Sequence, residues 1–107
     1  MDSVSAFDVV AADLAGSGAV VGKLFGHPAL KLGRQVFASE FYGAMAFKLG
    51  RESSAHAEAL MLPGAMPFDP GRRNRPLKDW VEVPSTSADQ WSALAMAALD
   101  HLVSSAR

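Results

Sequence analysis

Cysteine is absent from this chain of 107 residues. Its absence excludes disulfide bonds, thiolate zinc sites and cysteine nucleophiles, and it disfavours a secreted domain held together by disulfides. The amino-terminal residues MDSVSAFD also lack the basic segment and the long apolar run that a signal peptide needs. We therefore expect a cytoplasmic protein.

The sequence also lacks a long hydrophobic run and an excess of charge of either sign. No apolar segment approaches the ~20 residues that a membrane-spanning helix needs, so no membrane partner is expected. The 10 basic and 11 acidic residues give a formal net charge of −1, and no global field steers the chain towards nucleic acid. Any nucleic-acid binding must depend on a local patch.

No catalytic, metal or cofactor signature is recognisable in the chain. The three histidines, His27, His56 and His101, lack the His-x-x-x-His spacing that places two ligands on one helix face. His27 lies in a Gly-His-Pro stretch that is typical of a surface turn, and Glu40, close to Tyr42, is interpreted as a solvated strand residue. We therefore predict no enzymatic activity, no bound metal and no cofactor.

The apolar pattern predicts a two-layer α+β fold in a single domain of residues 1–107. The predicted elements are a helix at 4–14, strands at 19–25, 30–32, 36–41 and 45–49, a helix at 52–61 capped by Ser53, a strand at 79–83 and a last helix. Together they predict about five antiparallel strands packed with helices, in the order α-β-β-β-β-α-β-α.

The last helix is predicted to begin with a capping box formed by Ser87 and Gln90. Its apolar residues cover a wider arc than packing on one sheet requires, and Met96, Leu99 and Val103 account for the excess. The excess could dock another part of the same chain or a second copy of it. These three residues are therefore the candidate dimer face.

The most distinctive segment is PFDPGRRNRPLKDWVEVP, from Pro67 to Pro84. Its prolines and glycine predict an ordered loop, because proline fixes φ and glycine accepts left-handed backbone. The loop then runs into a strand that alternates between two faces, with Trp80 and Glu82 on one face and the two valines on the other.

Four basic residues lie within this loop: Arg72, Arg73, Arg75 and Lys78. They could contact a partner or the phosphates of nucleic acid, since arginine offers forked hydrogen-bond donors. They could instead be solvated at the loop tip or pair with Asp69, Asp79 and Glu82. The second interpretation is favoured, because exposed charge clusters are common and the protein as a whole is not basic.

Several short segments within residues 4–103 together carry a family resemblance. They are Leu24-Phe25-Gly26, Gly33 with Val36-Phe37-Ala38, Leu49, the block Pro67-Phe68-Asp69-Pro70-Gly71, and Pro76-Leu77-Lys78-Asp79-Trp80-Val81. In this order they resemble the TfoX/Sxy amino-terminal-domain family, which is related to the MmcQ/YjbR-like group, and the proline-rich block resembles one seen in small bacterial members.

The resemblance implies an antiparallel sheet with helices packed on it and no established enzymatic activity. Longer members carry a second, helical domain, and some of them regulate DNA competence. This chain ends at Arg107, directly after the last predicted helix, so we expect a stand-alone short member without that second domain. The leading hypothesis is a small interaction module that binds an unknown protein or forms a homodimer, through the last helix or through an open sheet edge. The alternative is a regulator that contacts nucleic acid through residues 72–78.

Overall fold

A computed structural model describes residues 3–105 of the chain, which form a sheet and a layer of helices. The α-helices are α1 (Ser3–Leu14), α2 (Ser54–Leu60) and α3 (Trp91–Ser105). The strands are β1 (Val20–Leu24), β2 (His27–Leu32), β3 (Gln35–Phe41), β4 (Ala44–Lys48), β5 (Met66–Pro67) and β6 (Trp80–Pro84).

All the described strands belong to one antiparallel sheet of 6 strands, in the order β1-β2-β3-β4-β6-β5. This confirms the predicted α+β fold with an antiparallel sheet. The sequence pattern missed β5, because two residues are too few to produce an alternating pattern. Strand β2 also begins earlier than predicted, at His27.

Tight turns join β1 to β2 at Phe25-Gly26 and β3 to β4 at Tyr42-Gly43. All four turn residues have positive φ, between 46° and 89°. This is the geometry of a type I′ turn, whose twist matches that of the strands on either side. Because the first four strands follow one another as a meander, both turns lie at the same end of the sheet. The Gly33-Arg34 turn lies at the other end.

One face of the sheet packs on the helices. The register pairs Ala38 with Phe47 and Phe47 with Val81, so their side chains form a row on this face. Phe7 of α1 and Trp91 of α3 belong to the same buried cluster. These two helices are also linked at their surface, where the Ser92 hydroxyl donates a hydrogen bond to Asp13 at 2.6 Å.

The opposite face carries a second, smaller core. Phe41, Ala46 and Trp80 project from three neighbouring strands and are covered by Phe68, which begins the loop after β5. The predicted alternation of β6 is confirmed, since Trp80 lies on this face and the two valines lie on the other. The structure adds that the valine face is the one covered by the helices. Strand β6 is buried on both of its faces.

The two predicted helix starts have different outcomes. Ser53 caps α2, since its hydroxyl oxygen accepts a hydrogen bond from the His56 amide at 3.0 Å. The predicted capping box at Ser87 is wrong, because residues Ser85–Gln90 form a tighter 3-10 helix that bends at Ser87 (φ −113°, ψ 28°). Helix α3 begins only at Trp91.

Trp91 is the largest fully buried side chain, and its indole nitrogen has no hydrogen-bond partner among the described residues. Substitution by alanine is expected to lower the free energy of unfolding by about 3–5 kcal/mol, because it leaves a large cavity. Trp91→Phe is the control: it fills most of that space and removes an unpaired N–H, so its loss should be smaller. Urea unfolding followed by circular dichroism measures both. Equal losses would contradict this packing.

Candidate binding site at the hairpin tips

The tips of the two type I′ hairpins present aromatic rings to solvent. Phe25 is 61% exposed and Tyr42 is 78% exposed. Both line one cavity of about 380 Å³, together with His27, Phe41, Pro70 and Gly71. We call this cavity the tip pocket.

Aromatic contacts hold the inner wall of the tip pocket. The Tyr42 ring packs edge-on against His27 and Phe41, with centroids 4.6 and 4.7 Å away. Phe41 in turn contacts Phe68 at 5.1 Å, so the pocket wall is continuous with the smaller core. The wall is therefore fixed by packing, while the two tip residues remain accessible to a ligand.

A carboxylate behind the pocket fixes the second hairpin tip. Glu40 is buried, and its Oε1 accepts a hydrogen bond from the Gly43 amide at 3.1 Å. Its Oε2 lies 3.4 Å from His27 Nδ1. The interpretation of Glu40 as a solvated residue is therefore wrong, and so is that of His27 as a surface turn residue. Alternation along a strand could not reveal that this end of the sheet is covered.

The segment Phe68–Leu77, here called the basic loop, forms the remaining wall. The Leu77 amide donates to the Phe68 carbonyl at 2.8 Å and closes the loop at its base. At the tip, the Asp69 carbonyl accepts from the Arg72 amide at 3.1 Å and the Asp69 carboxylate accepts from the Arg75 amide at 3.3 Å. The backbone of this loop is thus ordered by its own hydrogen bonds, as in a compact Ω-loop.

A salt bridge outside the loop fixes its connection to β6. Arg51 Nε donates to Asp79 Oδ1 at 3.0 Å, and the Arg51 amide donates to the same oxygen at 2.9 Å. These hydrogen bonds lower the pKa of Asp79 to about 2. Asp79 is therefore ionised at neutral pH and is occupied by Arg51, so it is not a partner of the loop arginines.

The charged side chains of the basic loop remain free. Among residues 3–105 the ion pairs are His27–Glu40 and Arg51–Asp79, so none of the loop's cations has a carboxylate within 4.0 Å. The cations concerned are Arg72, Arg73 and Arg75 in the loop and Lys78 directly after it, all exposed. The favoured interpretation offered two arrangements, solvation at the loop tip or pairing with Asp69, Asp79 and Glu82. The exposure of these cations agrees with the first arrangement, and no such pair is present among residues 3–105.

Arg72 connects the loop to the tip pocket. Its guanidinium carbon lies 5.9 Å from the centre of the Phe41 ring, within the range of a cation–π contact. Its backbone has a φ of 52°, in the left-handed region that an arginine rarely adopts. The loop thus holds Arg72 against the aromatic wall and leaves its charge beside the cavity.

Glu82 lies on the sheet face that carries Phe41 and Trp80, where it is only 8% exposed. Its Oε1 is buried without a hydrogen-bond partner in the described part of the chain. Burial raises the pKa of Glu82 above its ordinary value, and the positive charge of Arg72 partly opposes this rise. The carboxylate therefore weakens the fold when it is ionised.

The candidate dimer face is only partly at the surface. Met96 and Val103 are exposed on α3, whereas Leu99 is 5% exposed and belongs to the main core. Most of the wide apolar arc predicted for this helix is therefore covered by other elements of the same chain, because α1, α2 and the sheet all contact α3. The structure leaves Met96 and Val103 available to a partner.

Among residues 3–105 no cluster of three or more histidine or acidic side chains could hold a metal ion. None of the helices in this range is long and apolar enough to cross a bilayer. A scan against protein-family models and searches of curated proteins and of solved structures each return no match. Function is therefore inferred from the geometry of the chain's own residues.

Sequence reasoning identified the basic loop but missed the role of Phe25 and Tyr42. It placed Phe25 in a strand and mentioned Tyr42 as a residue close to Glu40. A usable signal was nevertheless present, since each aromatic residue precedes a glycine between two apolar runs. Two-residue hairpin turns usually carry asparagine, aspartate or glycine at that position. A large ring there needs an explanation.

Substitution of Glu82 by glutamine is expected to stabilise the protein at neutral pH. Because the folded-state pKa of Glu82 is raised, ionisation costs stability above the ordinary carboxyl pKa. The gain over the native chain should be largest at pH 7 and vanish below about pH 4, where the carboxyl is neutral in both states. Thermal unfolding across this range measures it. The exposed Glu52→Gln is the control, and a gain that persists at low pH would contradict the explanation.

Proposed function

We propose that this protein is a small binding module that contacts nucleic acid through the tip pocket and the basic loop. The observation that carries the proposal is that the basic loop forms one wall of the pocket lined by the exposed rings of Phe25 and Tyr42. The same loop holds the unpaired Arg72 over the Phe41 ring of that pocket. Arginine binds phosphates through its forked donors, and aromatic rings offer surfaces on which bases stack. The two groups lie far apart in sequence and are adjacent in the fold.

The positive charge is concentrated in the basic loop, which suits nucleic-acid binding at one site. The chain as a whole carries a formal charge of −1, so binding would be confined to this end of the molecule. The basic loop is also ordered by its own backbone hydrogen bonds, which leaves its guanidinium groups free for a ligand. Binding would therefore require little ordering of the loop, which favours affinity.

A binding role is also favoured over catalysis. The His27–Glu40 pair is the one close histidine–carboxylate contact in residues 3–105. It is enclosed by the rings of Phe41 and Tyr42, and Glu40 is already engaged by the Gly43 amide. The pair supports the hairpin tip, and we propose no reaction at it.

We also propose that the chain is a short member of the TfoX/Sxy-like group. An antiparallel sheet covered by helices agrees with the fold that the resemblance implies. The Leu24-Phe25-Gly26 segment and the Pro67–Gly71 block, which carry the resemblance, both contribute to the walls of the tip pocket. This agreement supports the proposal and does not extend to competence regulation.

Reversal of charge in the basic loop tests nucleic-acid binding. The double variant Arg73→Glu/Arg75→Glu is expected to weaken binding of a labelled oligonucleotide by about tenfold or more at low salt, because phosphate contacts are lost. Fluorescence anisotropy over a range of salt concentrations measures this loss, and the salt dependence should become shallower.

Arg34→Glu is the matched control for Arg73→Glu. Arg34 is also exposed but lies in the turn at the other end of the sheet. Equal effects of the two single substitutions would indicate a non-specific charge effect and would count against the site. Absence of binding to any DNA or RNA at low salt would end the proposal.

Homodimerisation is a second proposal, favoured by strand β1. This strand is at the edge of the sheet, and Val20 and Val21 are both exposed although they point to opposite faces. Antiparallel pairing of two copies about Gly22 would place Val20 opposite Leu24 and Val21 opposite Lys23. No like charges would then face each other across the two strands.

Sedimentation over a range of protein concentrations tests the dimer and its location. If β1 forms the interface, Val21→Lys should give a folded monomer, while Met96→Glu/Val103→Glu should leave the dimer intact. The reverse result would assign the interface to the outer side of α3. A native chain that is monomeric at high micromolar concentration would remove both alternatives.

A further inference from the structure

The backbone at the two hairpin tips is unusual for the residues that occupy it. Phe25 and Tyr42 have φ values of 51° and 46°, in the left-handed region. The β-carbon of an L-residue crowds the following carbonyl oxygen in this region, and large residues adopt it rarely. Asparagine, aspartate or glycine would fit both positions better.

Packing within the chain does not explain why aromatic residues occupy these two positions. The Phe25 ring forms none of the aromatic contacts within residues 3–105, and most of it faces solvent. Tyr42 contacts His27 and Phe41 along one edge, yet it is the more exposed of the two tip residues. Two rings are thus held in an unfavourable backbone conformation without being buried. Such a cost is typical of sites that bind a ligand.

We propose that Phe25 and Tyr42 are base-stacking residues and that the tip pocket takes unpaired bases of a single-stranded nucleic acid. This inference rests on the proposed function and specifies its ligand. The bases would stack on the two tip rings above the wall formed by Phe41 and His27. The backbone phosphates would lie along the basic loop, near Arg72 and Arg73.

A base within a duplex has no free face on which an aromatic side chain could stack. Bases of double-stranded DNA are already stacked on their neighbours, so an aromatic side chain reaches a base face only where the strand is open. A cavity of about 380 Å³ with rings on its walls suits a planar heterocycle. The open strand is therefore the favoured form of the ligand.

The charges around the pocket argue against a cationic ligand. Aromatic cages can hold ammonium groups, but here the guanidinium of Arg72 already lies over Phe41. Of the nearby carboxylates, Glu40 is buried and accepts from the Gly43 amide, Glu82 is 8% exposed, and Asp69 accepts from the Arg75 amide. An anionic ligand with a planar ring matches both the arginines and the aromatic wall.

The decisive variant is Phe25→Asn, because asparagine suits the backbone and removes the ring. Binding of a single-stranded oligonucleotide of about 12 residues should weaken by about 5- to 150-fold, the loss of one stacked base. The salt dependence should stay unchanged, since no phosphate contact is removed. The melting temperature should stay equal or rise by about 2–8 °C, because the strain is relieved.

Two controls accompany this variant. Phe25→Tyr keeps an aromatic face and should retain binding. Met61→Asn removes a comparably exposed apolar side chain far from the hairpin tips in sequence and should also bind as the native chain does. Tyr42→Asn should weaken binding in the same way as Phe25→Asn.

The binding experiment compares three ligands: the single-stranded oligonucleotide, a duplex of the same sequence, and a 5′-mononucleotide. The proposal expects the single strand to bind at least about tenfold more tightly than either of the others. Equal affinity for the duplex or for the mononucleotide would overturn it. A lower melting temperature for Phe25→Asn with unchanged binding would also overturn it, since the ring would then be structural.

Failure of this inference can be told apart from failure of the proposed function. If Phe25→Asn and Tyr42→Asn bind normally while Arg73→Glu/Arg75→Glu does not, the basic loop binds nucleic acid and base stacking is refuted. If no nucleic acid binds to the native chain, both proposals fall together.

Discussion

The two-sided burial of β6 is the constraint on which the rest of the structure depends. Val81 and Val83 pack beneath the helices, while Trp80 and Glu82 lie on the opposite face beneath the basic loop. A shift of one residue in register would exchange the two sets and place a carboxylate in the main core. The pairing of β6 with β4, fixed at its start by Arg51 and Asp79, therefore positions both layers.

The tip pocket follows from this arrangement. Phe68 can cover the second face only because Trp80 and Phe41 offer it an aromatic surface. Once Phe68 is docked, the short loop that follows must cross towards the hairpin tips, where Pro70 and Gly71 become part of the pocket wall. The same core that stabilises the fold thus places Arg72 against the aromatic wall of the tip pocket. Stability and the proposed binding share one set of contacts.

Local signals predicted much of the fold and little of the site. Alternation and turn residues identified the meander, and Ser53 was correctly predicted as the cap of α2. These features depend on neighbours in sequence. The meeting of Phe25 and Tyr42 with Pro70 and Gly71 of the basic loop depends on strand pairing and on a loop that folds back across the sheet. The burial of Glu40 and Leu99 also depends on elements distant in sequence, so their apolar or polar character alone could not reveal it.

The most direct test is to map the binding surface by NMR. Amide resonances of the ¹⁵N-labelled protein would be followed during titration with a single-stranded oligonucleotide. The account predicts shifts at Phe25–His27, Tyr42–Gly43 and the amides of residues 71–75, with α3 unaffected. Shifts centred on α3 or on the β1 edge, or an unchanged spectrum, would contradict the assignment of the binding site to the hairpin tips.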